Sequence, residues 1–194
     1  MTFDAIIFDC DGTLADTMPA HYVAWRATMS RYGIDFSEDR FYAMAGRPTD
    51  RIIQILAAEQ GVVVDVAQAA REKEEAFLEA LGEVLPVEPV TEVVRRSRGK
   101  LPIAVATGAI RPVLEKTLLQ IGLDGWFDAI VTAEDTERHK PEPDVFLEAA
   151  RRLGVAPERC QVYEDSDFGV EAARRAGMQW VDIREFYTPR RITS

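Results

Sequence analysis

Phe3-Asp4-Ala5-Ile6-Ile7-Phe8-Asp9-Cys10-Asp11-Gly12-Thr13 is an apolar run that stops at two carboxylates one residue apart. A continuous apolar segment suits a central parallel strand, because such a strand is buried on both faces. In open α/β sheets the ligand-binding groups gather just past the carboxyl ends of the strands, which places Asp9 and Asp11 at a crevice. Gly12 lets the backbone turn sharply there, and Thr13 offers a hydroxyl to a phosphate oxygen or a neighbouring carboxylate. Two carboxylates this close repel and raise one pKa unless a cation neutralises them. Mg2+ is the natural cation, since it takes hard oxygen ligands and is usually held by one or two carboxylates plus substrate phosphate. Two plainer readings compete: Asp11 as a helix cap, and the D-x-D pattern as the start of a calcium loop. That loop needs Gly at its sixth position and an acid at its twelfth. Here Gly12 is fourth and the twelfth residue is Ala20.

With 194 residues, 47% of them hydrophobic, the chain can bury one full core and a small insert. Acidic residues outnumber basic ones 33 to 23, a net charge of −10, which argues against nucleic acid or an anionic membrane as partner. An anionic substrate then needs a locally positive pocket. Cys10 and Cys160 each lie in an apolar run, as expected of reduced, buried thiols in a reducing cytosol. No apolar run approaches the ~18 residues of a membrane span, and the amino terminus lacks a basic-then-apolar export signal. A cytoplasmic monomer is expected.

Beyond Thr13 the pattern turns helical. Tyr22, Trp25, Met29 and Tyr32 recur at three and four residues, with Gly33 as C-cap. Further helices fit residues 49–59 and 65–81, and no strand is expected between 16 and 83. After Pro86 and Pro89, helices at 91–98, 111–121, 143–153 and 168–176 alternate with strands at 102–106, 129–132, 161–163 and 178–183. This alternation predicts an α/β fold, a doubly wound parallel sheet covered on both faces. The core then comprises residues 1–15 and 84–194, with an all-helical insert at 16–83. Residues 188–194 read as a frayed polar tail.

Three more loops follow expected core strands. Thr107-Gly108-Ala109 offers a hydroxyl and backbone N–H groups near a helix start, either a phosphate cradle or an ordinary turn and cap. Lys140 sits in a loop framed by Pro141 and Pro143, suited to place a point charge against phosphoryl oxygens, or else simply solvated. Glu164-Asp165-Ser166-Asp167 stands between a strand and a helix. One acid there serves as a cap, but several in succession at the sheet edge of Asp9 suit a metal better.

Taken together, Asp9/Asp11, Thr107, Lys140 and Glu164/Asp165 resemble, in order and placement, the four motifs of the haloacid-dehalogenase-like superfamily. The helical insert, Glu164-Asp165-Ser166 and the stretch from Gly169 to Ala173 resemble its β-phosphoglucomutase-like branch, in which the insert is a cap domain. The resemblance implies a nucleophile at Asp9 and an acid/base at Asp11. It also implies phosphoryl binding by Thr107 and Lys140, and Mg2+ held by Asp9, the Asp11 carbonyl and Asp165, with Glu164 in support. A dehalogenase is excluded, because halide leaves without a proton and has no use for Asp11.

His21, Trp25, Gly46, Arg47 and Lys73 match positions that line the cap interface in relatives, and Gly108 and Ala109 complete the expected substrate contacts. Trp25 also lies on an apolar stripe that fits it for the core, and Lys73 has a stem long enough to snorkel to water. A mutase must hold a second phosphate. The positions that do so in β-phosphoglucomutases read Thr49 and Ala109-Ile110 here, although Arg47, Arg51 or Arg111 can substitute. The resemblance therefore favours a phosphatase whose partner is a small phosphorylated metabolite, namely a small sugar phosphate, nearest to bacterial fructose-1-phosphate phosphatases. A sugar phosphomutase and a non-catalytic phosphate-binding regulator are the alternatives.

Overall fold

The computed structural model describes residues 3–192. β1 (Ala5–Phe8) is wholly buried and lies at the centre of a five-stranded sheet. β2 (Ile103–Ala106) and β3 (Ala129–Val131) lie to one side, β4 (Cys160–Glu164) and β5 (Gln179–Asp182) to the other. All neighbours are parallel, in the order β3-β2-β1-β4-β5. Strand alternation divides the core. Ile6 and Phe8 face one apolar cluster, built with Val90 and Val94 of α5 (Glu88–Ser97) and Val113, Leu114 and Leu118 of α6 (Arg111–Gln120). Ala5 and Ile7 face another, filled by Phe146 and Ala149 of α7 (Asp144–Leu153) and by Ala172 and Ala173 of α8 (Asp167–Arg175). Helices on both faces of a parallel sheet make the doubly wound arrangement.

Between β1 and α5 come α1 (Met18–Arg31), α2 (Glu38–Ala43), α3 (Thr49–Gln60) and α4 (Val66–Ala80). They enclose a third apolar cluster, including Tyr22, Trp25, Phe36, Phe41, Ile53 and Leu56. The opposite side of α1 and α4, through Ala20, Ala24 and Phe77, joins the cluster under the sheet. The two chain crossings between block and sheet run side by side: Asp16 N–H donates to Leu85 O at 2.8 Å and Val87 N–H to Leu14 O at 2.9 Å.

Three expectations need correction. α2 was not expected; it is six residues long, so only Phe41 is buried apolar and no period is legible. Its signal is the cap, where the Ser37 hydroxyl accepts from Arg40 N–H ahead of Glu38 and Asp39. α1 and α5 each start several residues earlier than periodicity indicates, both with Pro in the first turn, where its missing N–H costs nothing. The tail is not frayed over its described part. Arg190 reaches Asp16 at 3.3 Å and accepts through its carbonyl from the Tyr42 hydroxyl. Arg191 pairs with Asp39, and Ile192 N–H donates to Glu38 at 2.8 Å. Thr193 and Ser194, also placed in that tail, lie outside the described residues. Cys10 and Cys160 are both buried free thiols. Among the described residues no helix is long and apolar enough to cross a membrane.

Candidate active site

Asp9 is the first residue past β1 and is 5% exposed. The Lys140 ammonium bridges it to the end of β4, donating to Asp9 Oδ1 at 2.6 Å and to Glu164 Oε2 at 2.7 Å. Glu164 Oε1 is also occupied, accepting from the N–H groups of Asp165 and Ser166 and from the Ser166 hydroxyl. Both Glu164 oxygens are thus engaged, and the residue acts as an anchor that holds Lys140 and the loop beyond β4. Gly169 is required beneath it, because a Cβ there would lie 1.9 Å from the Glu164 carboxyl carbon. Asp165 accepts from the Thr13 hydroxyl at 3.1 Å, and its other oxygen presses on the turn at Gly12, where φ is 84° and a Cβ would come within 2.2 Å. Burial, with the nearby Glu164 and Asp11 charges, pushes the Asp9 carboxyl up to about 8 despite Lys140. Burial and the Glu164 and Asp9 charges push Asp165 well above the carboxylate range. Burial alone would lower the Lys140 pKa, but its two carboxylate partners raise it.

Asp11 points elsewhere. Its Oδ1 lies 3.2 Å from His21 Nε2 on α1, and His21 Nδ1 lies 3.0 Å from the Lys73 ammonium on α4. An ammonium can only donate, so Nδ1 accepts from Lys73 and the imidazole carries its proton on Nε2, directed at Asp11. Burial and the Lys73 charge hold the His21 pKa below its usual value, consistent with a neutral ring. Burial is the largest influence on Asp11 and tends to raise its pKa, but His21, Thr17 and the Lys73 charge together outweigh it and the net shift is downward. The ring is further fixed by stacking on Phe77, with centroids 3.8 Å apart.

Thr107 follows β2 and is buried; its hydroxyl accepts from Ala109 N–H at 3.1 Å, which leaves its own proton to donate. The strand ends and the helical block enclose a cavity of about 640 Å3, and all the expected substrate contacts line it. Trp25 serves twice. It packs edge-on against Phe36 in the block's core and also lines the cavity wall. The loop at Gly46, with φ of 81°, seats directly on the core: a Cβ there would meet Ser166 Oγ at 3.1 Å, and the Arg47 guanidinium lies over the Phe168 ring at 5.1 Å. Lys73 does not snorkel, being 4% exposed. Sequence reading missed Glu74, which pairs with Lys73 at 3.1 Å and lines the same wall. Neighbouring helix residues do not share a face, so spacing gives no hint that they meet. It also missed the anchoring role of Ser166.

The family profile for haloacid dehalogenase-like hydrolases matches residues 6–183. The chain belongs to that family. Fructose-1-phosphate phosphatase YqaB of Escherichia coli is 42% identical over 182 residues, covering 94% of this chain and 97% of that protein. A phosphorylated carbohydrates phosphatase of Thermotoga maritima is 34% identical over 180 residues, covering 91% and 82%. Among solved structures, a β-phosphoglucomutase from Clostridium difficile superposes with a TM-score of 0.83 over 93% of this chain and 84% of its own, at 24% identity, a likeness of fold. The chain is thus a dehalogenase-like phosphoric monoester hydrolase with the fold of the β-phosphoglucomutase-like branch.

In this dehalogenase-like site Asp9, Glu164 and Asp165 can each offer one oxygen within 4.8 Å of the others. Three carboxylates face one ammonium, and all the donors are hard oxygens. That excess of negative charge fits a hard divalent cation. Glu164 Oε1 is taken up by the loop beyond β4, so Asp9 and Asp165 are the less encumbered ligands of the three. The Asp11 carboxylate is not in the cluster, which is compatible with a ligand role only through its backbone.

Proposed function

We propose that the chain is a Mg2+-dependent phosphatase hydrolysing a small sugar phosphate, such as fructose 1-phosphate, through an aspartyl-phosphate on Asp9. Residues 16–83 form the cap over a core of 1–15 and 84–194. The observation that carries this reading is the convergence, on one cavity, of a buried carboxylate held by Lys140 and a second carboxylate held by His21. Identity to the two carbohydrate phosphatases above supports the substrate class.

An Asp9 oxygen attacks phosphorus; the new O–P bond forms as the bond to the sugar oxygen breaks. Asp11 gives that oxygen a proton, then takes one from the water that cleaves the acyl phosphate and restores Asp9. The arrangement seen here has Asp11 ionised, as the second step requires. An arriving phosphoryl dianion raises its pKa and favours the protonated form needed for the first. Thr107 donates to a phosphoryl oxygen, and Lys140 offsets the charge of nucleophile and substrate. Mg2+, held by Asp9, Asp165 and the Asp11 carbonyl with Glu164 in support, would add charge neutralisation at the phosphoryl oxygens. His21, Lys73, Trp25 and the Gly46-Arg47 loop close over the sugar, with Gly108 and Ala109 beneath it.

The mutase alternative is disfavoured because Thr49 is engaged with Glu74 at 3.4 Å, and Ala109 and Ile110 bring no charged side chain to hold a second phosphate. The test is phosphate release from fructose 1-phosphate with Mg2+, with chelator and by Asp9→Asn. Stoichiometric phosphate, lost on chelation and reduced at least about a thousandfold in the variant, is expected. Substantial turnover by Asp9→Asn, or formation of an isomeric sugar phosphate faster than phosphate release, contradicts the reading.

A further inference from the structure

The cavity wall opposite the strand ends carries one buried cation, Lys73, and its charge is already committed. Its ammonium donates to His21 Nδ1 at 3.0 Å and to Glu74 Oε1 at 3.1 Å, and Glu74 is its only ion-pair partner among the described residues. The same Glu74 oxygen accepts from the Thr49 hydroxyl at 3.4 Å. Its second oxygen, Oε2, has no hydrogen-bond partner among the described residues, and the side chain, 29% exposed, lines the cavity. Arg47 and Arg71 line it as well, opposed by Asp50 and Glu75; all four are exposed, where charges count for little.

We infer that Glu74 is a specificity-determining residue: its free oxygen accepts hydrogen bonds from the hydroxyls of an uncharged polyol leaving group, and its charge rejects esters that carry a second phosphate. This rests on the sugar-phosphate reading above and adds a selection rule to it. An ionised carboxylate accepts and cannot donate. A diol supplies the O–H donors it needs, whereas a second phosphate is itself an acceptor of the same sign. The wrong ligand therefore meets repulsion and also leaves a half-buried carboxylate unpaired, the combination that makes discrimination steep. Lys73, cancelled by Glu74, has little charge left with which to attract the distal phosphate.

The test is steady-state kinetics of the wild type, Glu74→Gln and Glu74→Ala on fructose 1-phosphate and fructose 1,6-bisphosphate, with circular dichroism as the folding control. The wild type should prefer the monophosphate. In both variants KM for the monophosphate should rise about tenfold or more with a smaller change in kcat, the size expected for one charged hydrogen bond. The kcat/KM ratio of bisphosphate to monophosphate should rise by a similar factor. A ratio within about twofold of wild type in both folded variants overturns the inference. So does an equal fall in kcat for both esters, which would reduce Glu74 to positioning Lys73 and His21. A wild type that prefers the bisphosphate overturns it without any variant and leaves the sugar-phosphate reading standing. A wild type that hydrolyses an aryl phosphate but neither sugar ester overturns both.

Discussion

At the strand ends, Asp9, Lys140 and Glu164 share one cluster with side chains 7, 8 and 1% exposed; on the helical wall, exposure rises from 5% at Lys73 to 29% at Glu74. The first cluster is pinned by backbone leaving β1 and β4, which are hydrogen-bonded neighbours in one sheet. The second belongs to α1 and α4, which reach the sheet through two chain crossings and keep part of their apolar surface for a cluster of their own. Phosphoryl chemistry needs fixed, dry charge, and the sheet edge supplies it. On the proposed function, choice of leaving group calls for contacts that adapt to different shapes, a task suited to helices joined to the sheet by two crossings.

If this contrast holds, breaking the first cluster costs most. Lys140→Met leaves Asp9 and Glu164 buried without their cation, and should destabilise the metal-free protein by about 3 kcal/mol, the scale for removing one partner of a buried pair. Urea denaturation in chelator measures it. A loss below about 1 kcal/mol would put the cluster in the same class as a surface pair.

The pH dependence sharpens the point. The Asp9 carboxyl is raised from the ordinary value near 4 to about 8. A group raised on folding contributes stability fully below its unfolded pKa and loses it as pH rises through the folded one. Metal-free protein should therefore lose stability between pH 4 and 8, and saturating Mg2+ should flatten that slope. Melting temperatures with and without chelator test this, and a metal-free slope of the opposite sign would contradict the electrostatics drawn for the site.

Legibility in the sequence divides along the same line. Asp9, Thr107, Lys140 and Glu164 each stand just past a strand or in a rigid loop, so one-dimensional order already implies three-dimensional convergence at the sheet edge. On the wall, one helix face serves both packing and chemistry. Trp25 reads as core and is core, yet it lines the cavity; Glu74 meets Lys73 although the two are consecutive in α4. α2 is too short to show a period, and the tail's seat on Glu38, Asp39 and Asp16 depends on partners about 150 or more positions away. No local pattern encodes such a contact.

The smallest effect is expected at that tail. Arg190 is 60% exposed on its side chain, so Arg190→Ala should cost less than about 1 kcal/mol by urea denaturation. A larger loss would mean the tail contributes to the block's seating as strongly as a buried contact does.

The central claim, a covalent phosphoryl-enzyme at Asp9 resolved by Asp11, is met most directly by Asp11→Asn supplied with an aryl phosphate. The aryl leaving group departs without a proton, so the first step proceeds, while the second lacks its base and the intermediate accumulates. Mass spectrometry of the acid-quenched variant should find the phosphoryl group on the peptide containing Asp9. Phosphate release at the wild-type rate with no modified peptide, or a phosphoryl group on any other residue, would contradict the account.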